Sequence, residues 1–164
     1  MQSEYADLYG YFKCSIDVKH RLLICSEIRR QLLPERDGPG FFVVIGKNRK
    51  LWLYPENTYR AMARGAPQKR APTMQELEYD QLHYGLAEYL DCDKTGRVLL
   101  PDPQMKATGT GKDVMLWGVR NHIEIWNRAE FEVHSRDLWA RQDEISKVMD
   151  QGQIDSKALP DQGT

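Results

Sequence analysis

This chain repeats itself. Ile16-Asp17-Val18-Lys19-His20-Arg21-Leu22-Leu23-Ile24 aligns with Cys92-Asp93-Lys94-Thr95-Gly96-Arg97-Val98-Leu99-Leu100, 76 residues on. Both stretches set Asp and Arg four apart and follow the Arg with three aliphatic residues. Further along, Val43-Val44-Ile45-Gly46 aligns with Met115-Leu116-Trp117-Gly118, and Leu51-Trp52-Leu53-Tyr54 with Ile123-Glu124-Ile125-Trp126, each 72 residues on. Matches in one order at nearly one offset mark an internal duplication. A unit of roughly 50 residues buries little core by itself. The economical solution interleaves the two repeats about a pseudo-twofold axis, so that each completes the other.

Both repeats share one grammar. Asp93-Lys94-Thr95-Gly96 reads as a type I turn, with Gly96 at the φ > 0 position that closes a bulged hairpin. His20 stands at that position in the first repeat, so either it accepts positive φ or the turn differs. A short helical stretch follows at 26–33, and its counterpart opens at Asp102-Pro103, a cap followed by a proline suited to the first helical position. Hairpins come next, 42–45 with 51–54 and 114–117 with 123–126. Between the repeats, 64–73 is a Pro/Gly/basic linker. The spacing of Tyr79, Leu82, Leu86 and Leu90 predicts one connecting helix over 74–90. Phe131, Leu138, Ile145 and Met149 form a second helical stripe. The domain reading is a first repeat at 10–64, linker and connecting helix at 65–88, second repeat at 89–134, C-terminal helix at 135–150, and a polar tail at 151–164 expected to be disordered. The fold class is mostly β with short helices (α+β).

Charge is uneven. Residues 13–70 carry 13 Lys or Arg against 5 acids, although the whole chain sums to −1. A basic block in a neutral chain is the footprint of a polyanion, or of an oppositely charged half or subunit. The longest apolar run, 41–45, is far below the roughly 20 residues of a membrane span. The N-terminus lacks an apolar signal segment. Three cysteines without a C-x-x-C pair read as reduced thiols in a cytosolic protein.

The stretch 93–101 followed by 118–126, with 11–22 before them, resembles the MraZ family of transcriptional regulators. The likeness covers roughly 10–140. It implies a tandem AbrB-like swapped-hairpin barrel assembled into a homo-oligomeric ring. It also implies binding of double-stranded DNA at short direct repeats upstream of the division and cell-wall gene cluster, with a cytoplasmic, nucleoid-associated location. The segments proposed to meet DNA nominate Asp17 with Arg21 and Asp93 with Arg97. The chain departs from the family where His20 replaces Gly and where Cys25 stands opposite Pro101.

Arg21 and Arg97 follow tight turns, from which a guanidinium reaches a phosphate or forks onto a guanine edge. Asp17 and Asp93 shape the turns and can orient those arginines. Lys13, Lys19, His20 and Lys94 are candidate phosphate contacts. The bland alternative is a hairpin held by an Asp–Arg pair. The basic tip 47–50 can meet DNA, a subunit, or neither. Trp52, Trp117, Trp126 and Trp139 read as core or interface. His83, His122 and His134 lack metal-ligand spacing. Gly109-Thr110-Gly111-Lys112 lacks the upstream glycine of a phosphate loop, and no nucleophile elbow or dinucleotide fingerprint occurs. The reading is therefore not an enzyme, with no cofactor, membrane or small-molecule substrate. Two alternatives stand beside the regulator: a ring-forming interaction protein without sequence-specific DNA binding, and an AbrB-like antitoxin.

Overall fold

The computed structural model describes residues 6–157. Among these described residues eight strands form: β1 (Tyr11–Ser15), β2 (Arg21–Leu23), β3 (Phe41–Ile45), β4 (Leu51–Pro55), β5 (Glu88–Leu90), β6 (Arg97–Leu99), β7 (Asp113–Val119) and β8 (His122–Asn127). Six make one antiparallel sheet in the order β1-β7-β8-β4-β3-β5, and β2 and β6 make a separate ribbon. This order reads the same from either edge once repeat counterparts are exchanged: β1 for β5, β7 for β3, β8 for β4. The first strand of each repeat pairs with the hairpin of the other, β1 with β7 and β5 with β3. At the centre, counterparts face one another. Trp52 pairs with Glu124, and Leu22 with Val98.

The strands are rich in β-branched and aromatic residues, and the buried side of the sheet carries the core: Val43, Leu51, Leu53, Val114, Leu116, Ile123 and Ile125. Leu22, Ile24, Val98 and Leu100 join it from the ribbon. Gly118 is needed for close approach, since a Cβ there would lie 2.6 Å from the Tyr9 nitrogen. Among the described residues, the strand pairing is that of an open sheet plus a ribbon, not of the closed barrel the family resemblance implies.

Short helices fill the connections: α1 (Ser26–Arg29), α2 (Pro34–Asp37), α3 (Glu56–Gly65), α4 (Met74–Asp80) and α5 (Asp102–Thr108). The single helix expected over 74–90 is interrupted. Helix α4 starts at a capping box between Thr73 and Glu76, passes into a π turn at Gln81–Gly85, and gives way to β5. Leu90, assigned by spacing to a helical face, is buried in β5 opposite Phe41, while Tyr79, Leu82 and Leu86 are exposed. Pairing with the edge of β3 overrides the local helical period.

Residues 129–157 form a separate unit. Its helices are α6 (Arg128–Ala140), which starts at the boundary, and α7 (Gln142–Lys157). Trp139 is exposed there. Helix α7 carries the backbone through 151–157, so that part of the expected disordered tail is helical; 158–164 lies outside the described residues.

Candidate nucleic-acid interface

Each Asp-x-x-x-Arg segment is a hairpin turn closed by its aspartate. In the first, the Asp17 N–H donates to the Arg21 carbonyl and the His20 N–H to the Asp17 carbonyl, both at 3.0 Å. Asp17 Oδ1 accepts from the backbone N–H groups of Lys19 and Arg21, each at 2.9 Å. Arg21 Nε completes the loop with a 2.8 Å contact to Asp17 Oδ2. The second turn repeats the backbone pattern around Asp93, Gly96 and Arg97 at the same 3.0 Å distances. His20 has φ 63° where Gly96 has φ 91°, so the histidine does take the left-handed position.

The side chains differ. Asp93 Oδ1 accepts from the N–H groups of Thr95 and Arg97 and from the Thr95 hydroxyl, while Arg97 Nη1 donates to that hydroxyl at 3.1 Å. One arginine is thus steered by the aspartate itself, the other through a threonine. The Arg21 N–H, with the guanidinium behind it, holds the Asp17 pKa below the usual carboxylate range. The Arg97 N–H and the Thr95 hydroxyl do the same for Asp93. Both carboxylates stay ionised and occupied by their own turns.

The two hairpins meet through the β2–β6 ribbon, in the register Arg21↔Leu99, Leu22↔Val98 and Leu23↔Arg97. The His20 carbonyl accepts from Leu100 and the Gly96 carbonyl from Ile24, each at 2.9 Å, which extends the pairing into both turns. Side chains alternate across the ribbon. Leu22 and Val98 are buried, and Arg21, Leu23, Arg97 and Leu99 are exposed on the other face. Arg21 and Arg97 therefore lie diagonally on one open face, with a turn at each end.

The remaining candidates surround it. Lys19 and Lys94 are exposed on the two turns, and Lys13 is exposed on β1. His20 Nδ1 lies 3.5 Å from Asp102, which also pairs with Lys106 at 2.8 Å. Sequence reasoning missed Arg29, whose side chain lies over Gly96 so closely that a Cβ there would meet its Cδ at 2.9 Å. It also missed Val18, 95% exposed at the tip of the first turn, and the exposed Leu23 and Leu99. The apolar run after each Arg already carried the signal for the leucines, because strand alternation turns one of every two outward.

In the basic tip at 47–50, Lys47, Asn48 and Arg49 are exposed, while Asn48 and Lys50 also reach across to β8. Asn48 Nδ2 donates to Glu124 Oε1 at 2.7 Å, and Lys50 lies 4.8 Å over the Trp126 ring. Trp126 Nε1 donates to Glu124 Oε1, His122 Nε2 lies 2.9 Å from Glu124 Oε2, and Trp52 stacks on His122. Trp117 meets Trp126 edge-on.

A family model described as "MraZ protein, putative antitoxin-like" matches residues 84–150. A Transcriptional regulator MraZ from Chromobacterium violaceum is 36% identical over 128 residues, covering 77% of this chain and 84% of that protein. The chain belongs to the MraZ family. A Lachnoclostridium phytofermentans Transcriptional regulator MraZ is 32% identical over 142 residues, 85% of this chain and 93% of the relative. One from Clostridium tetani is 27% identical over 126 residues, 77% and 85%. Among the described residues, no helix is long and apolar enough to cross a membrane.

Proposed function

We propose that this MraZ-family chain is a transcriptional regulator that reads double-stranded DNA with the β2–β6 ribbon and its two flanking turns. The observation that carries the reading is the pairing of the two Asp-x-x-x-Arg hairpins with each other, which sets Arg21 and Arg97 on one exposed face. A two-stranded ribbon is of a size that the major groove admits, and arginine forks onto guanine O6 and N7 there. Asp17 and Asp93 fix the turns and keep clear of the anionic backbone. Lys13, Lys19, Lys94 and His20 contact phosphates and set the register.

The exchange of first strands between repeats supports an AbrB-like swapped-hairpin module. As the family resemblance implies, the module works as a ring-shaped oligomer on short direct repeats upstream of the division and cell-wall gene cluster, in the cytoplasm at the nucleoid; the relatives' name supports the regulator role alone. Binding through several phosphates weakens steeply with salt, whereas base readout persists as a preference.

Fluorescence anisotropy tests this with a duplex from upstream of the protein's own gene and a shuffled duplex, at low and near-physiological salt. The expected result is a preference for the native duplex that survives the higher salt. Arg97→Ala should cost about 1–3 kcal/mol of that preference, with oligomer mass unchanged by light scattering. Equal, salt-erased binding to both duplexes would overturn the reading.

A further inference from the structure

Strand alternation gives the β3–β4 hairpin a second apolar face. Val43, Leu51 and Leu53 enter the main core, which leaves Val44, Trp52 and Tyr54 on the opposite side. Tyr59 of α3 covers that side, stacked on Phe42 with ring centroids 4.5 Å apart and lying 5.8 Å from Tyr54. The Tyr59 hydroxyl donates to the His83 carbonyl at 2.7 Å, which holds the π turn Gln81–Gly85 against the sheet. Tyr84 lies 6.0 Å from Tyr59, and Tyr79 packs 4.3 Å from the His83 ring. Between them stays a cavity of about 130 Å³, walled by Trp52, Tyr54, Tyr59, Tyr79, His83 and Tyr84. The corresponding positions 72 residues on are Glu124, Trp126 and Phe131 for Trp52, Tyr54 and Tyr59, so the second repeat does not reproduce this wall.

Tyr54 is only 8% exposed, yet its hydroxyl has no hydrogen-bond partner among the described residues. A phenol buried to that degree ordinarily finds one. The fully enclosed unpaired side-chain oxygens among the described residues are those of Thr58 and Gln104, so the Tyr54 hydroxyl faces open space, and the cavity is the space that Tyr54 lines. Burial pushes its pKa up to about 12, so at neutral pH it keeps its proton and can donate. Among the described residues that line the cavity, Lys47, exposed on the β3–β4 turn, alone carries a fixed charge. Glu124 is not part of the lining, and its oxygens are taken by Asn48, Trp126 and His122. We propose that this cavity binds a single-ring aromatic carboxylate, with the ring between the aromatic walls, the carboxylate toward Lys47 and a ring substituent accepting from the Tyr54 hydroxyl. A benzene ring is held by an apolar cavity of about 150 Å³, so one ring fills this space. Aromatic walls also suit a bare cation, but an ammonium in the lining opposes that choice. π turns recur at functional sites, and here the turn supplies His83 and Tyr84 to the wall.

The cavity shares no residue with the β2–β6 ribbon, so the test is independent of DNA binding. Isothermal titration of the full chain with 4-hydroxybenzoate should show one site per chain, in the micromolar to submillimolar range that about ten heavy atoms allow. Tyr54→Phe should weaken binding about threefold to tenfold. Lys47→Ala should weaken it about twofold to fivefold, and high salt should erase that difference. Each variant is first checked for the wild-type circular dichroism spectrum. Cyclohexanecarboxylate, which keeps the charge without an aromatic face, and tyramine, which carries a cation instead, should each bind about fivefold more weakly than 4-hydroxybenzoate. Saturation should slow amide exchange across Gln81–Gly85. No binding at millimolar 4-hydroxybenzoate, unchanged affinity in either variant, or equal or tighter binding of cyclohexanecarboxylate or tyramine would overturn the proposal.

Discussion

His20 carries the turn of Gly96 with a side chain attached, at φ 63°. A non-glycine residue in that region costs about 1 kcal/mol, and the half-exposed contact with Asp102 returns little of it. Replacing His20 with Gly should stabilise the fold by about 0.5–1 kcal/mol in urea denaturation, after the entropy of the unfolded glycine is counted. A lower midpoint would mean that the Asp102 contact outweighs the backbone strain. The turn itself was legible because it is a local event. An aspartate able to accept several backbone N–H bonds, followed three residues later by a left-handed position, specifies it without help from the rest of the chain. The path of each guanidinium was not legible. Arg21 meets Asp17 and Arg97 meets Thr95, since Lys19 stands where the second repeat has a hydroxyl.

At the scale of the element, the β4–β8 seam is held by a polar network that the sequence disguised as a basic loop. Glu124 is 7% exposed and receives Asn48, Trp126 and His122. Burial pushes its carboxyl up, but those hydrogen bonds and the His122 charge outweigh burial and leave its pKa lowered from 4.5. A lowered folded pKa means stability that is present above pH 4.5 and is lost as pH falls through the folded value. Stability measured from pH 7 to pH 3 should decline in that lower window for the wild type. The part of the decline due to Glu124 should vanish in Glu124→Ala. At neutral pH that variant should cost about 2–4 kcal/mol, because it removes the acceptor of the buried His122 and Trp126 donors. A variant as stable as the wild type would show that water replaces the carboxylate.

For the whole molecule, the strand order decides cooperativity. Strand β1 pairs with the hairpin of the second repeat and β5 with that of the first, so neither repeat owns a complete sheet. Expressed separately, residues 1–70 and 71–164 should each show little sheet by circular dichroism, and an equimolar mixture should regain the spectrum. A first half that folds alone would mean that the exchange is not needed for the core. Leu22 and Val98, fully buried at the ribbon's centre, tie its exposed face to that same core. A change that weakens the core therefore also loosens the Arg21 and Arg97 platform.

The sequence alone determined whatever depends on neighbours a few residues away: the two Asp-closed turns, the aliphatic strands after each Arg, and the hairpins ending near Gly46 and Gly118. The duplication added the expectation that the repeats interleave, because half-size units cannot bury enough apolar surface. Tertiary structure alone decided whatever depends on long-range pairing. The periodic stretch ending at Leu90 became β5, because an open edge of β3 offered backbone hydrogen bonds that an isolated helix end does not. Arg29 came to lie over Gly96, and Asn48 reached Glu124 across 76 residues. Local spacing carries no record of such meetings, since side-chain partners across a sheet are chosen by register, and register is set only when the whole sheet forms.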